Sequence, residues 1–227
     1  MPKIFSNIKL VVFDVNETMF SLQTISKKFE ILGLPKLALN IWFSNILKEG
    51  FSSSSIGHFH SFKKIAENEL IRLFLSFKVE YKKKFYSLIM KEFSKLQIHD
   101  DVLKAIKILH KNKIKIVSLT NGSKENTQNL LKKNNIQNYI NRCFSIDEIK
   151  VWKPHKKVYL HVCKTMKISC ENSLMIAAHA WDINGAKNAG LITGYITRYE
   201  KILSNIYDTP DITGKDCLSI LQSIKLS

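Results

Sequence analysis

Four polar clusters in the sequence contain residue types that can carry out nucleophilic and acid–base chemistry. They are Asp14–Thr18, Thr120–Asn121, Lys153–Pro154 and His179–Asp182. An aspartate can attack carbon and form a covalent intermediate, a lysine can orient it, and a second carboxylate can activate water. Together, the clusters contain the parts of a hydrolase that uses a carboxylate nucleophile.

Asp14 stands at the end of a short apolar run, Ile8–Phe13. Short apolar runs bounded by polar residues are typical of buried strands in parallel sheets. A carboxylate at the C-terminal end of such a strand lies where open α/β sheets bind their ligands. Alternatively, Asp14 is a turn or helix N-cap aspartate after an ordinary strand, and this segment alone leaves both interpretations open.

Strands and helices alternate from about Asp100 onward, with Ser123 and Pro154 as candidate helix starts. The pattern predicts strands at Ile114–Leu119, Arg142–Ile146, Ser173–Ala178 and Gly194–Thr197, and helices at Asp101–Asn112, Lys124–Lys133, Pro154–Met166, Asp182–Ala189 and Cys217–Ile224. Such alternation predicts an α/β fold with a doubly wound parallel sheet and right-handed crossovers. Because the carboxyl ends of parallel strands share one edge, we expect the four clusters to converge there.

The segment between the first strand and the alternating region has a different pattern. Across Leu22–Leu96 apolar residues recur at helical spacing, and glycine-containing segments such as Gly50–Gly57 are typical of turns. We therefore predict an all-helical cap domain at residues 21–96. It is inserted after the first strand of a core formed by residues 1–20 and 97–227.

The composition is that of a soluble globular protein, with 45% hydrophobic and 24% charged residues among 227. No apolar segment approaches the length of a membrane span, and the first strand follows Met1 too closely to leave room for a signal peptide. The four cysteines, at 143, 163, 170 and 217, form no CxxC pair. They are typical of buried thiols in a reducing compartment, so we expect a cytoplasmic protein.

The formal net charge is +16, and only three of the 35 basic residues are arginine. Sequence-specific nucleic-acid recognition favours arginine for its bidentate fork, and the lysines here are spread along helices rather than gathered in a block. We therefore expect no nucleic-acid partner. The charge can still steer a small anionic substrate toward the site.

The four clusters in their order and intervals, together with the helical insertion, resemble the haloacid dehalogenase superfamily. Within it, the chain is most similar to the (S)-2-haloacid dehalogenase (type II) family. The resemblance runs from Ile8 to Arg198, and the Ala-Trp-Asp-x-x-Gly-Ala run at Ala180–Ala186 is the most suggestive part. It implies a Rossmann-like core with a helical cap, no cofactor, and the possibility of a homodimer.

At two positions, the chain differs from the phosphatases of the superfamily. Those enzymes carry a second aspartate two residues after the nucleophile, where this chain has Asn16, which cannot donate a proton as a carboxylic acid does. Their magnesium-binding segment begins with an acid where this chain has Ala178. Asp14 and Asp182 remain as carboxylate ligands, and magnesium prefers several hard oxygens, so we expect no metal.

The resemblance implies a reaction in two steps. Asp14 would attack the halogen-bearing carbon of a small 2-haloacid, displace halide and form an ester, which water would hydrolyse to a 2-hydroxy acid. Lys153 would orient Asp14, Thr18 would hydrogen-bond near it, and Asp182 would orient or activate the water. Alternatively, Lys153 is one of many surface lysines and Asp182 is the N-cap of the following helix.

The resemblance also implies a site for the substrate carboxylate. Thr120 and Asn121, with backbone amides near Val15 and Asn16, would bind it. Tyr159 stands where the family has a tyrosine contact with the substrate. The alternatives are ordinary turn chemistry for Thr120 and Asn121, and helix packing for Tyr159.

Two departures from the family pattern concern Phe43 and His179. Phe43 follows Trp42 where family members have an arginine that receives the halide, and an aromatic edge with Asn40 would replace the arginine only weakly. His179 stands in place of a water-positioning asparagine. An imidazole with a pKa near ~6.5 can act as a general base, whereas a histidine bound to a loop carbonyl would have no catalytic role.

Three functions therefore remain open at the level of sequence. The first is metal-independent dehalogenation of a small (S)-2-haloacid. The second is hydrolysis of another small substrate, including weak magnesium-dependent phosphatase activity. The third is a module without catalytic activity that binds an anionic partner through its basic surface.

Overall fold

The computed structural model of the chain describes residues 5–225. The ends of the predicted core, residues 1–4 and 226–227, lie outside the described residues, as does the segment on which the signal-peptide interpretation depends. The strands are β1 Leu10–Asp14, β2 Lys115–Thr120, β3 Arg142–Ser145, β4 Ser173–Ala177, β5 Ile192–Ile196 and β6 Ile212–Gly214. The helices are α1 Gln23–Ile31, α2 Ala38–Ser55, α3 Phe62–Ser76, α4 Lys84–Phe93, α5 Asp100–Lys111, α6 Lys124–Lys133, α7 Lys156–Met166, α8 Ala180–Asn188 and α9 Cys217–Leu221.

The six strands form one sheet in the order β3-β2-β1-β4-β5-β6, and every neighbouring pair is parallel. The apolar run that ends in Asp14 forms β1, which is buried at all five positions. β1 lies between β2 and β4, at the point where the strand order changes direction, and ligands bind at such points in open α/β sheets. The predicted doubly wound parallel sheet is therefore confirmed. The three-residue strand β6 is too short for its pattern to have predicted it.

The four helices α1–α4 lie between β1 and α5, where the helical insertion was predicted. The chain leaves the core and returns to it side by side, because Ser21 N donates to Gln97 O at 3.1 Å and His99 N donates to Met19 O at 2.9 Å. The two connections thus hold the helices close to the residues that follow β1. We keep residues 21–96 as the proposed extent of the cap domain.

The predicted turn at Gly50–Gly57 is wrong over most of its length, since α2 continues to Ser55. Gly50 lies inside the helix, and a Cβ there would lie 2.4 Å from Cε3 of Trp152. The indole Nε1 of Trp152 donates to His60 O at 2.9 Å. Gly50 therefore permits close packing between a cap helix and the loop that carries Lys153, rather than a turn.

Two predicted helix starts also differ from the structure. Pro154 follows a cis peptide bond and lies two residues before α7, whose N-cap His155 accepts a hydrogen bond from Lys157 N at 3.2 Å. α8 begins at Ala180, so Asp182 lies within its first turn and is not its N-cap. Asp182 is fully buried there, as a helix N-cap on the surface would not be.

Among residues 5–225, no helix is both long and apolar enough to cross a membrane. All four cysteines are free thiols, and three of them are buried.

Candidate active site

Lys153 joins two carboxylates at the carboxyl edge of the sheet. Its Nζ lies 2.7 Å from Oδ1 of Asp14, at the end of β1, and 2.6 Å from Oδ2 of Asp182, in the first turn of α8. It also donates to Leu119 O at 3.2 Å. Lys153 and Asp182 are 0% exposed and Asp14 is 5% exposed. The interpretation of Lys153 as a surface lysine is therefore wrong, and the predicted convergence of three clusters is observed.

The charges of the buried side chains Asp14, Lys153 and Asp182 determine which of them are protonated. Burial raises the pKa of Asp14, but the charge of Lys153 and the hydrogen bond from His179 outweigh burial and hold the pKa well below its usual range. Burial lowers the pKa of Lys153, and the two carboxylates outweigh it and raise the pKa. Asp14 is therefore an ionised carboxylate beside a charged ammonium group, the state that a nucleophile requires.

Asp182 differs from Asp14 in its electrostatic environment. Burial raises its pKa and the nearby charge of Asp14 adds to the effect, while Lys153 opposes both without reversing the shift. The pKa values of the two carboxylates at this site are thus shifted in opposite directions, down for Asp14 and up for Asp182. Such a separation is typical of a pair that divides nucleophilic and proton-transfer roles.

Thr18 connects the loop after β1 to the loop after β4. Its hydroxyl donates to Oδ2 of Asp14 at 2.7 Å and accepts from Ala178 N at 2.9 Å. The side chain is fully buried. Thr18 therefore fixes the orientation of the Asp14 carboxylate, in agreement with its predicted position.

Tyr159 lies behind Asp182 rather than against the cavity at Asp14. Its hydroxyl donates to Oδ1 of Asp182 at 2.6 Å, and the residue is 0% exposed. Burial, together with the charge of Asp182, raises its pKa well above the ordinary value, so the hydroxyl keeps its proton. This placement does not support the predicted contact with substrate; instead, Tyr159 orients Asp182.

The glycine of the Ala180–Ala186 run explains how α8 approaches this group. A Cβ on Gly185 would lie 2.5 Å from the carbonyl oxygen of Pro154 and 2.7 Å from the hydroxyl of Tyr159. A larger residue there would push α8 away from the Lys153 loop. The spacing of Asp182 and Gly185 in the sequence therefore matches the packing that brings Asp182 to Lys153.

His179 lies between Asp14 and a carboxylate that the sequence pattern does not single out. Nδ1 of His179 lies 3.2 Å from Oδ2 of Asp14, and Nε2 lies 2.9 Å from Oε2 of Glu17. The ring stacks on Phe43 and on Trp181, with centroid distances of 6.3 Å and 5.4 Å. The position of Glu17 within the first polar cluster was the only available signal for it.

The two carboxylates determine the charge of His179. Burial lowers its pKa, but the hydrogen bonds and charges of Asp14 and Glu17 raise the pKa to about 10. At neutral pH, His179 is therefore an imidazolium that donates to both carboxylates. The role of His179 as a general base stays a prediction, and its pKa lies above the value of ~6.5 for an ordinary imidazole.

A cavity of about 10 Å³ lies against Asp14, which is room for about one water molecule. Its lining includes the predicted residues Asp14, Asn16, Phe43, Thr120, Asn121 and His179, and also Leu47, Phe62 and Trp181, which were not predicted. Apolar side chains of the cap thus close the cavity over polar groups of the core. Excluding bulk water strengthens the electrostatic interactions inside.

Thr120 and Asn121 follow β2 at the edge of this cavity. The hydroxyl of Thr120 accepts from Gly122 N at 2.9 Å, as expected of a turn residue. Oδ1 of Asn121 accepts from Lys153 N at 3.0 Å, while its Nδ2 is buried without a partner among the described residues. Because an unpaired buried donor costs free energy, Asn121 is a strong candidate for binding an anion in the cavity.

Two larger clefts flank the cavity. The outer cleft, about 850 Å³, shares Phe43, Leu47, His179 and Trp181 with it, and Asn40 lines only this cleft. The second cleft, about 440 Å³, shares Asn16, Phe62 and Thr120 with the cavity and also includes Val15 and Lys63. The lining of the second cleft contains Lys63 and no carboxylate, whereas the outer cleft contains Lys36 and Lys48 together with Glu17 and Glu200. Both clefts therefore present cations to an approaching anion.

Comparison with known proteins gives concordant matches over most of the chain. A family model described as haloacid dehalogenase-like hydrolase matches residues 8–190. The (S)-2-haloacid dehalogenase 1 of Pseudomonas sp. (strain CBS-3) is 24% identical over 196 residues, which are 86% of each chain. The haloacetate dehalogenase H-2 of Moraxella sp. (strain B) is 23% identical over 208 residues, 91% of this chain and 93% of that one.

Similarity to a solved structure extends over nearly the whole length of both chains. The L-2-haloacid dehalogenase of Xanthobacter autotrophicus, with chloropropionic acid covalently bound, has a TM-score of 0.86 at 19% identity. The match covers 95% of this chain and 98% of that chain. At this identity, the similarity shows a shared fold.

Proposed function

Because the chain belongs to the haloacid dehalogenase-like hydrolase family, we propose that it hydrolyses a small (S)-2-haloacid to a 2-hydroxy acid through an ester at Asp14. The observation that carries the proposal is the ionised, buried Asp14 beside Lys153, which lines a small cavity between two larger clefts. The names of the relatives support the substrate class.

In the first step, one carboxylate oxygen of Asp14 attacks C2 of the substrate, and the carbon–halogen bond breaks with its electron pair on the halide. Lys153 holds Asp14 in position, and Thr18 fixes the plane of its carboxylate. The buried Nδ2 of Asn121, with Thr120 and the backbone amides near Val15 and Asn16, binds the substrate carboxylate. The apolar rings of Phe43, Phe62 and Trp181 exclude water from the reacting atoms.

In the second step, water attacks the carbonyl carbon of the Asp14 ester. The bond between this carbon and the substrate oxygen breaks, which releases the 2-hydroxy acid and restores the carboxylate. Asp182, which shares the ammonium group of Lys153 with Asp14, orients the water, and Tyr159 holds Asp182 in place. The room for about one water at Asp14 is suited to such a step.

The donor set does not fit the magnesium ion that phosphatases of this superfamily use. The ammonium group of Lys153 contacts both Asp14 and Asp182, and Ala178 supplies no side-chain oxygen. Among residues 5–225, no group of three or more histidine, cysteine, aspartate or glutamate side chains is arranged to hold a metal. We therefore propose a reaction without a metal and no phosphatase activity.

Labelling with ¹⁸O-water tests the ester route. We expect one turnover in ¹⁸O-water to place label in the Asp14 carboxylate, because water attacks the aspartyl carbonyl and not C2. Peptide mass spectrometry of the enzyme after (S)-2-chloropropionate turnover measures this. Label that enters only the product would show direct displacement by water and contradict the proposal.

Replacing Phe43 with arginine should increase the rate of halide release by at least about tenfold. Phe43 lines the cavity, and a cation there would stabilise the developing halide in a site from which water is excluded. Pre-steady-state halide measurement compares Phe43→Arg with Phe43→Leu, which changes the shape of the side chain without adding charge. No gain in Phe43→Arg would mean that another group already stabilises the halide.

We also propose a cytoplasmic location, which the free cysteines support, and no nucleic-acid partner. Dimerisation stays a prediction.

A further inference from the structure

The contacts of His179 suggest a role that the resting charge state does not reveal. Its two ring nitrogens face two carboxylates, Asp14 through Nδ1 and Glu17 through Nε2. Phe43 and Trp181 fix the plane of the ring by stacking on it. A ring held at both nitrogens and against two aromatic side chains has little freedom to turn, so each nitrogen keeps its own partner.

The two carboxylates differ in what happens to them during the reaction. The side chain of Asp14 becomes an uncharged ester in the first step, whereas Glu17 takes no part in bond making and is at the wall of the outer cleft. Ester formation therefore removes the partner and the charge at Nδ1 while the partner and the charge at Nε2 remain. His179, like Lys153, thus loses one of its two carboxylate partners when the ester forms.

We propose that Glu17 is a positioning residue that holds His179 through Nε2, so that Nδ1 becomes the base for ester hydrolysis once Asp14 is alkylated. The inference rests on the proposed function, since it requires an ester at Asp14. Glu17 thus acts through His179, and His179 acts as a base only after Asp14 has formed the ester. Glu17 has φ of +61°, an uncommon conformation for a residue other than glycine, and Arg198 supports this turn by donating to Thr18 O at 2.9 Å.

The protons balance over the cycle. After halide leaves, the imidazolium no longer faces a carboxylate at Nδ1 and releases that proton to solvent in the outer cleft, which His179 also lines. Water then attacks the ester carbon and gives one proton to Nδ1. The tetrahedral intermediate expels the substrate oxygen, which takes the second proton of the water. The products are the 2-hydroxy acid, the Asp14 carboxylate and His179 again protonated, so the net release is halide and one proton.

The charged groups around the ring determine whether the pKa of His179 rises or falls when the ester forms. Burial lowers the pKa of His179, and Asp14 and Glu17 raise it to about 10 in the resting enzyme. Removing the charge of Asp14 leaves one of the two raising groups, so the pKa falls in the ester. The other charged groups around His179 and Glu17 are Lys153, Asp182, Arg198, Glu200, Lys36 and Lys48.

The experiment separates the two chemical steps in Glu17→Gln and His179→Asn. Rapid quench with (S)-2-chloropropionate measures halide release, and intact-protein mass spectrometry measures the ester. We expect both variants to release about one halide per enzyme and then to accumulate the ester. Steady-state turnover should fall by about 10–100-fold in Glu17→Gln and by about 100-fold or more in His179→Asn. The matched control is Glu30→Gln, an exposed glutamate on α1, which should turn over as the wild type does.

A pH profile distinguishes positioning from a structural effect. Glu17 raises the pKa of His179, so its loss should move the acidic limb of the hydrolysis rate to lower pH, by about one unit. Slower turnover without ester accumulation and without this shift would indicate a structural role and overturn the proposal. Turnover of Glu17→Gln equal to that of Glu30→Gln would overturn it as well. If the wild type released no halide, the proposed function and this inference would both fail.

A measurement that requires no turnover tests the inference even if Glu17→Gln or His179→Asn folds poorly. In Asp14→Asn, residue 14 is uncharged as in the ester. We expect nitrogen-15 NMR of the histidine ring to show the pKa of His179 about 1–3 units lower in this variant than in the wild type. An unchanged pKa would show that Asp14 does not control the charge of His179 and would overturn the inference.

Discussion

Replacing Asp14 with asparagine should reduce halide release from (S)-2-chloropropionate by about 10⁴-fold or more, because the proposed nucleophile becomes an amide. The residue is ionised in the native protein, held by Lys153 and His179 with its pKa well below the usual range. The amide keeps the size of the side chain but has neither the charge nor the nucleophilic oxygen. Halide electrode measurements over long incubation provide the required sensitivity.

The control for this variant is Asp208→Asn, the same change at an exposed position. Its activity should equal that of the wild type. Circular dichroism and thermal melting establish that Asp14→Asn is folded. Halide release by Asp14→Asn within tenfold of the wild-type rate would mean that another group displaces the halide, and the ester mechanism would be abandoned.

Replacing Lys153 with methionine should abolish activity and destabilise the protein by about 3–5 kcal/mol at neutral pH, because it leaves buried carboxylates without their partner. The ammonium group lies within 2.7 Å of Asp14 and 2.6 Å of Asp182, and none of the three side chains is more than 7% exposed. Methionine fills a similar volume, so loss of charge dominates the effect. Urea denaturation at pH 7.5 measures the free energy of unfolding.

The pH dependence of Lys153→Met follows from the signs of the shifts. In the wild type, the lowered pKa of Asp14 contributes stability that is present above its unfolded pKa and is lost as pH falls through its folded pKa. Without Lys153, the two buried carboxylates repel each other, and the folded pKa of at least one rises above its unfolded value. That group contributes stability below the unfolded pKa, which is lost as pH rises through the folded pKa. The difference in the free energy of unfolding between Lys153→Met and the wild type should therefore become smaller as pH falls from 7.5 to 5.

Two comparisons make the stability prediction specific to the buried group. Lys156→Met removes an exposed lysine on α7 and should change the free energy of unfolding little. Lys153→Met combined with Asp182→Asn should recover part of the lost stability, since one buried charge is removed with its partner. Equal destabilisation by Lys153→Met and Lys156→Met would contradict the view that the buried ammonium supports the site.

The sequence by itself determined the sheet edge at which Asp14 and the candidate site lie. The apolar run before Asp14 has the length typical of a buried strand, and the strand–helix alternation after residue 100 predicts parallel strands whose carboxyl ends share an edge. These constraints are local or topological, so Asp14, Lys153 and Asp182 could be expected to meet although they are far apart in the chain. In the structure they do meet.

Only the tertiary structure decided what each side chain contacts and which charge it carries. Tyr159 contacts Asp182 because α7 and α8 pack closely at Gly185, and Gly50 lies inside α2, where the absence of a side chain lets Trp152 pack against the helix. The pKa of His179 is raised because Asp14 and Glu17 both face its ring, and no pattern in the sequence gives those distances. Orientation and protonation depend on burial and on charges brought together by packing, and both are set by contacts between residues distant in the chain.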